Sequence, residues 1–311
     1  MPHNVAHRTG RQPARQAQRL ANLRGFIMMA STFSTFAPSA HQIQREGLGY
    51  RGVLTVDQLR KAVPAAFAES AHDSRSARYS YIPTSAVIEG MRAEGFLPVK
   101  ATQAGARDES KAGHGKHMIR FRREDQLGQA EAREVIMINS HDGSSAYKLS
   151  AGIFRLVCSN GLVVGREDVR QTVRHSGNVL HDVIEGATRI IDDFDLVTRD
   201  METMKAVTLE KPLMLAFANA AIEARFDTDE KPVTAEQILR PRRHADMSAD
   251  LWTVFNRVQE NVIRGGITGF SKDAQGRTQR RKTREVKGID QNDTLNRALW
   301  RLATELAKIA A

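Results

Sequence analysis

The chain has a single cysteine, Cys158, in 311 residues. It can close no internal disulfide and cannot build a four-cysteine zinc site. No apolar run approaches the ~18 residues that would suggest a membrane span. Together these absences point to a soluble protein of the reducing cytoplasm. Aromatic residues are scarce at 6%, which leaves the core to Leu, Ile, Val, Met and Ala. Acids are missing altogether from residues 1–27, where Arg8, Arg11, Arg15, Arg19 and Arg24 stand. Such a leader reads as a transit peptide or, with Met28 and Met29 following, as a start placed too far upstream. Either way, 1–49 is expected to be a disordered or extended extension outside the fold. A Walker loop, a dinucleotide fingerprint and a paired His–Glu metal motif are absent too.

What is present is positive charge. Lys and Arg number 46 against 36 acids, for a net charge of +10 and a pI near 10.0. An excess of this kind attracts polyanions, because each neutralised phosphate releases condensed counterions. No strongly basic, highly apolar amphipathic helix points to a membrane surface instead. The charge is segregated: residues 182–230 hold 12 acids and 5 bases, whereas 240–284 hold 11 bases and 4 acids.

The hydrophobic pattern predicts an α+β protein. A short helix opened by Thr55 runs to Phe67, and a second, capped by Thr84 or Ser85, stops at Gly95. Strand-like segments follow at Phe96–Thr102, His117–Arg122, Glu134–Asn139, Ser145–Leu149 and Ile153–Val157. Met118-Ile119-Arg120-Phe121-Arg122 alternates as a half-buried antiparallel strand should. The loop from Gln103 to Lys116 reads as mobile. After Gly165 the period becomes helical, with an a/d seam through Val173, Leu180, Ala187, Phe194 and Met201 and through Val183, Ile190, Val197 and Met204. That seam predicts either a homo-oligomer or an internal hairpin with a helix at Pro212–Phe226. Further helices are expected from Ala249 to Ile263 and from Asp293 onward. The division is therefore 50–165, an antiparallel sheet with a packed helix, then 166–311, mostly helical with a basic loop at 271–288.

Catalytic constellations are poor. Asn139-Ser140-His141-Asp142-Gly143 collects enzyme-like residues, but consecutive residues do not make a triad, and the composition is what a hairpin turn requires. His114 and His117 lack the further ligands a zinc ion needs. Cys158, in an apolar run, reads as a small buried hydrophobe. Neither a metal nor another cofactor is expected. Phosphate contacts are better served: Arg277, Arg280, Arg281, Lys282 and Arg284 crowd one polar stretch, and Arg166, Arg170 and Arg174 stand four apart, as a stripe on one helix face. Tyr79 and Tyr81, with Phe121, have the chemistry to stack bases.

Two passages carry a family resemblance. One is Phe154-Arg155-Leu156-Val157-Cys158-Ser159-Asn160-Gly161-Leu162-Val163. The other runs from Leu251-Trp252-Thr253-Val254-Phe255-Asn256 through Gln259-Glu260-Asn261 and Gly265-Gly266 to Leu295-Asn296-Arg297-Ala298-Leu299-Trp300. These strings resemble the phage/plasmid-like proteins grouped as domain of unknown function 932, over about residues 50–311. The resemblance implies a plasmid or phage context and no catalytic residue. The order of Tyr79-Ser80-Tyr81-Ile82-Pro83, a helix to Gly95 and successive strands is also similar, at the level of fold, to ERF-type single-strand annealing proteins. The expectation is a non-enzymatic, cytoplasmic DNA-binding protein of a mobile element, acting on single strands or annealing them. Two alternatives remain open at this point: a protein-interaction or anti-defence factor using the seam and the acidic middle, and a hydrolase or nuclease using His141, Asp142 or Cys158.

Overall fold

The computed structural model describes residues 52–75, 79, 81–105, 108–158, 160–227, 231–272 and 275–310; the expected extension at 1–49 lies outside them. Helix α1 (Val56–Ala62) starts on a reciprocal cap: Thr55 Oγ1 accepts from the Gln58 amide at 3.2 Å, and Gln58 Oε1 accepts from the Thr55 amide at 2.8 Å. Pro64 then opens a 3₁₀ turn over Pro64–Phe67. Helix α2 (Thr84–Ala93) ends at Gly95, whose φ of 82° costs a glycine nothing. Its N-cap is Pro83, so Thr84 is the first helical residue and its side chain turns inward.

Strands β1 (Phe96–Gln103), β2 (His117–Arg123), β3 (Glu131–Asn139) and β4 (Tyr147–Arg155) pair in sequence, each antiparallel to the next. The two strands expected at 145–149 and 153–157 are thus one. Ser150-Ala151-Gly152 continues the pairing with β3 between them, and Gly152 fits closely there: a Cβ would lie 2.6 Å from Ile136 Cδ1 and 3.1 Å from the Leu162 carbonyl oxygen. Two short strands share the far edge of β4. β5 (Asn160–Val163) pairs with Gly152–Arg155, and β6 (Arg170–Val173) pairs with Tyr147–Ser150. The segment from Glu109 to His114, expected as mobile loop, holds a 3₁₀ helix.

Strand β2 is buried on both faces. Ile119 and Phe121 face the main core, while Arg120 and Arg122 point the other way and are equally enclosed. They survive there because Glu134 accepts from both, at 2.6 Å from Arg120 Nη1 and 2.8 Å from Arg122 Nε. A buried carboxylate between two guanidinium groups is tolerable only when paired in this way. The alternation in this strand therefore marks an apolar and an ionic interior, in place of an inside and a solvent side.

Helices α3 (Val179–Asp192) and α4 (Phe194–Ala206) divide the predicted seam at Asp193, and its first residue, Val173, belongs to β6. Val183, Ala187, Ile190, Phe194, Val197 and Met204 are buried in the chain's own core. Helix α5 (Lys211–Arg225) and the single turn α6 (Ala235–Ile238) lead to α7 (Leu251–Arg264). Every residue of α7 before Arg264 is buried, polar ones included. Gln259 donates to Asn296 Oδ1 at 2.5 Å, and Asn261 Nδ2 donates to the carbonyls of Ile238 and Arg240. Trp252 and Trp300 meet edge to face at 6.2 Å, so the two ends of the second family passage form one seam between α7 and the last helix, α8 (Ile289–Ala310), while the first passage lies on β4 and β5.

Between α7 and α8 the expected basic loop is instead a two-stranded ribbon, β7 (Thr268–Lys272) and β8 (Thr278–Lys282). Gly265 and Gly266, at φ 60° and 80°, turn the chain out of α7 into it. A Cβ on Gly265 would lie 2.7 Å from the Arg284 carbonyl oxygen. No described helix is long and apolar enough to cross a membrane.

Candidate nucleic-acid interface

Cross-strand partners in an antiparallel ribbon share a face. The register pairs Thr268 with Lys282, Phe270 with Arg280 and Lys272 with Thr278 on one face; Gly269 with Arg281 and Ser271 with Gln279 occupy the other. The first face therefore carries Phe270 at its centre, flanked by Lys272, Arg280 and Lys282. Phe270 is 62% exposed, and all five residues of β8 are exposed. A single exposed apolar side chain is ordinary, and Met247 and Ile309 are as open; what sets Phe270 apart is an aromatic ring sharing its ribbon face with three cations.

The ribbon is held along one edge. The Phe270 amide donates to the Pro232 carbonyl at 3.1 Å, and Gln237 Nε2 donates to the Thr268 carbonyl at 3.0 Å. Gly269 is required at this contact, because a Cβ would stand 1.5 Å from the Pro232 oxygen. The second face overlooks a groove of about 680 Å³, lined by Arg225, Phe226, Pro232, Gln279, Arg281, Lys282, Thr283 and Arg284.

The structure brings Arg280, Arg281 and Lys282 together on β8, with Arg284 two residues beyond it and exposed Arg277 at the turn. It does not bring the other three arginines to it, nor does it place those on a helix. Arg166 lies in the loop after β5, Arg170 opens β6 and Arg174 follows it. The four-residue spacing imitated a helix, but Gly177, at φ 76°, delays the helix to Val179. Two of the three are committed to acids: Arg166 reaches Asp168 at 2.6 Å and Asp200 at 3.2 Å, and Arg170 reaches Glu167 at 3.6 Å.

Tyr79 and Tyr81 lie in a different constellation, at the end of the sheet where β2 begins and β3 ends. Tyr79 stacks on His175 at 4.5 Å, Tyr81 meets the edge of His141, and the Tyr81 hydroxyl donates to the Ala68 carbonyl. Phe121 is fully buried. Desolvation pushes the Tyr79 hydroxyl up to about 12. Beneath these rings, Thr84 Oγ1 lies 2.9 Å from His117 Nε2, 3.0 Å from His141 Nε2 and 3.1 Å from Asn139 Nδ2.

The protons in this cluster can be assigned from the partners. His117 Nδ1 lies 3.0 Å from the Gly115 carbonyl, which only accepts, so Nδ1 carries the hydrogen and Nε2 accepts from the Thr84 hydroxyl. Thr84 has then spent its proton and receives Asn139 N–H and His141 Nε2–H. Asn139 Oδ1 in turn accepts from His175 Nε2 at 3.0 Å. His141 Nδ1 is left as a buried lone pair with no partner among the described residues. Burial holds His117 down at about 4 and His141 at about 3, so both rings are neutral at pH 7. Asp142 does not orient His141: its Oδ1 accepts from the Ser144 amide at 2.9 Å, which closes the turn. His117, His141 and Thr84 are all fully enclosed, and no group of three metal-ligating side chains occurs among the described residues. The cluster is a polar knot that ties α2 to β2 through His117, to β3 through Asn139 and, with the Tyr147 hydroxyl 3.3 Å from Thr84 Oγ1, to β4.

The family model described as domain of unknown function DUF932 matches residues 71–300. The chain belongs to this family. Two relatives from Escherichia coli (strain K12) share most of its length. The UPF0380 protein YafZ is 46% identical over 253 residues, covering 81% of this chain and 91% of the relative. The UPF0380 protein YfjQ is 45% identical over 253 residues with the same coverage. No solved structure matches. The matched span includes the whole β7–β8 ribbon and the histidine knot.

Proposed function

We propose that this DUF932 protein is a cytoplasmic, non-enzymatic nucleic-acid-binding protein of a mobile element, and that the ribbon takes single strands. The observation that carries the reading is Phe270, 62% exposed at the centre of a ribbon face with Lys272, Arg280 and Lys282 around it. A stacked base and neutralised phosphates on either side are what such a face offers. Duplex is the poorer fit. A major groove admits a two-stranded ribbon, but here Pro232 and Gln237 hold one edge of it against the body.

Fluorescence anisotropy with a labelled oligothymidylate of ~15 nucleotides tests the reading. Binding at low salt should fall steeply as salt rises. Phe270→Ala should weaken it about tenfold to a hundredfold, the ~1–3 kcal/mol of one stacked base. Arg280→Glu should weaken it further and flatten the salt slope. A salt-independent signal, or Phe270→Ala binding as tightly as the unaltered chain, sinks the proposal.

A further inference from the structure

The other face of the ribbon has its own chemistry. Its groove draws cations from three stations of the chain: Arg225 at the end of α5, Arg281 on β8, and Arg284 on the segment leading to α8, with Lys282 at the rim. None of its described lining residues is acidic. Arg225 is fixed in place, donating from Nε to the Val262 carbonyl at 3.4 Å and from Nη2 to the Arg284 carbonyl at 3.2 Å. Those bonds engage neutral carbonyls, so its charge is partly desolvated without a counter-charge among the described residues. Burial pushes its guanidinium down accordingly. Arg281 and Arg284 likewise reach no acid among the described residues. Guanidinium groups with no acidic partner among the described residues, converging on one concavity, favour an anion with several oxygens: the planar forks of Arg281 and Arg284 match a phosphate bidentately, and Arg225 adds its charge. At about 680 Å³ the groove is the size of a small-molecule site, and Phe226 with Pro232 supplies an apolar wall.

We propose that this groove is a second binding site, separate from the Phe270 face, for a phosphate chain. The chain can come from a free nucleoside polyphosphate, with Phe226 against the base, or from a further stretch of nucleic-acid backbone. The site does not depend on the Phe270 face binding anything.

Isothermal titration of the full chain at low salt with inorganic tripolyphosphate reads the site directly. Saturable binding is expected, weakened at least tenfold in Arg281→Glu/Arg284→Glu and unchanged in Phe270→Ala/Arg280→Glu. Arg281→Gln/Arg284→Gln should show the same loss without charge reversal, which separates lost contacts from local repulsion. Absence of saturable binding to the unaltered chain overturns the proposal, as does an equal loss in the Phe270→Ala/Arg280→Glu pair. Two arms identify the source once binding is seen. ATP binding at least tenfold tighter than tripolyphosphate assigns a free nucleotide. Displacement of the labelled oligothymidylate by tripolyphosphate assigns the backbone of a strand. Oligonucleotide binding that fails while tripolyphosphate binds would dismiss the Phe270 face and leave the groove standing.

Discussion

Thr84 has one proton to give and a pair of lone pairs to fill; His117, His141 and Asn139 claim them at the shortest distances, and the Tyr147 hydroxyl, which donates to the Ile82 carbonyl, is a fourth neighbour at 3.3 Å. Valine has the same shape and none of these capacities. Thr84→Val would strand the His141 and Asn139 N–H groups and the His117 lone pair inside the protein. Each unsatisfied buried group costs about 1–3 kcal/mol, so a loss of roughly 3 kcal/mol or more is expected from urea unfolding. Thr84→Ser keeps the hydroxyl and should lose less than about 1.5 kcal/mol. A valine variant as stable as the parent would show that the knot is not what holds α2 on the sheet. None of this was legible beforehand. Thr84 has the look of a helix cap, His141 of a turn residue and His117 of half a metal motif. Their meeting depends on strand register, and the participating positions run from Tyr79 to His175.

At the scale of elements, the ribbon depends on one contact with the body. Gly269→Ala would drive a methyl carbon into the Pro232 carbonyl, so the edge of β7 must release. Oligonucleotide affinity should fall about tenfold while the urea midpoint of the core stays within error; an unchanged affinity would mean that the held edge does not orient the face. Why the ribbon reads as a loop follows from its exposure. A strand advertises itself by period-two hydrophobicity, which arises when one face is buried. Thr278-Gln279-Arg280-Arg281-Lys282 buries neither face, so no period exists to be found. β2 and β3 are legible because Ile119, Phe121, Val135 and Met137 fill a core. β5 and β6, at four residues each, are too short for alternation to register, and β6 hid behind the spacing of its arginines. α5, α7 and α8 are legible because apolar residues recur along them at helical spacing, whereas the seam from Val173 gives no sign of its break at Asp193.

For the molecule as a whole, one buried cluster runs from Leu54 to Ala307, and strands and helices share it. Far-UV dichroism and the fluorescence of buried Trp252 and Trp300 should therefore report a single unfolding transition. The two neutral histidines give that transition a pH dependence. Their folded pKa values, about 4 for His117 and about 3 for His141, lie below the 6.5 of an exposed ring. Above 6.5 neither state is protonated and their contribution is complete. Below 6.5 the unfolded chain binds protons that the folded chain refuses, so stability falls, by up to about 1.4 kcal/mol per pH unit for each ring. Unfolding midpoints should be flat from pH 8 to 7 and drop between 6.5 and 5, ahead of most carboxylates. A midpoint that stays level through that window would contradict the neutral assignment of the pair.

The two glycines at the foot of the ribbon bear on how this sequence can change with time. Gly265 and Gly266 both hold positive φ, and at Gly265 even a methyl group would strike the Arg284 carbonyl. The tip carries a further positive-φ glycine, Gly276 at 75°, but a side chain there would meet open space, and its neighbours Gln275 and Arg277 are exposed. Ligand preference is thus free to drift among the exposed residues of β8 and its turn, while the hinge that aims them tolerates no alternative side chain. In descendants of this chain the reach of the ribbon would be inherited nearly unchanged, and what it grips would be open to selection.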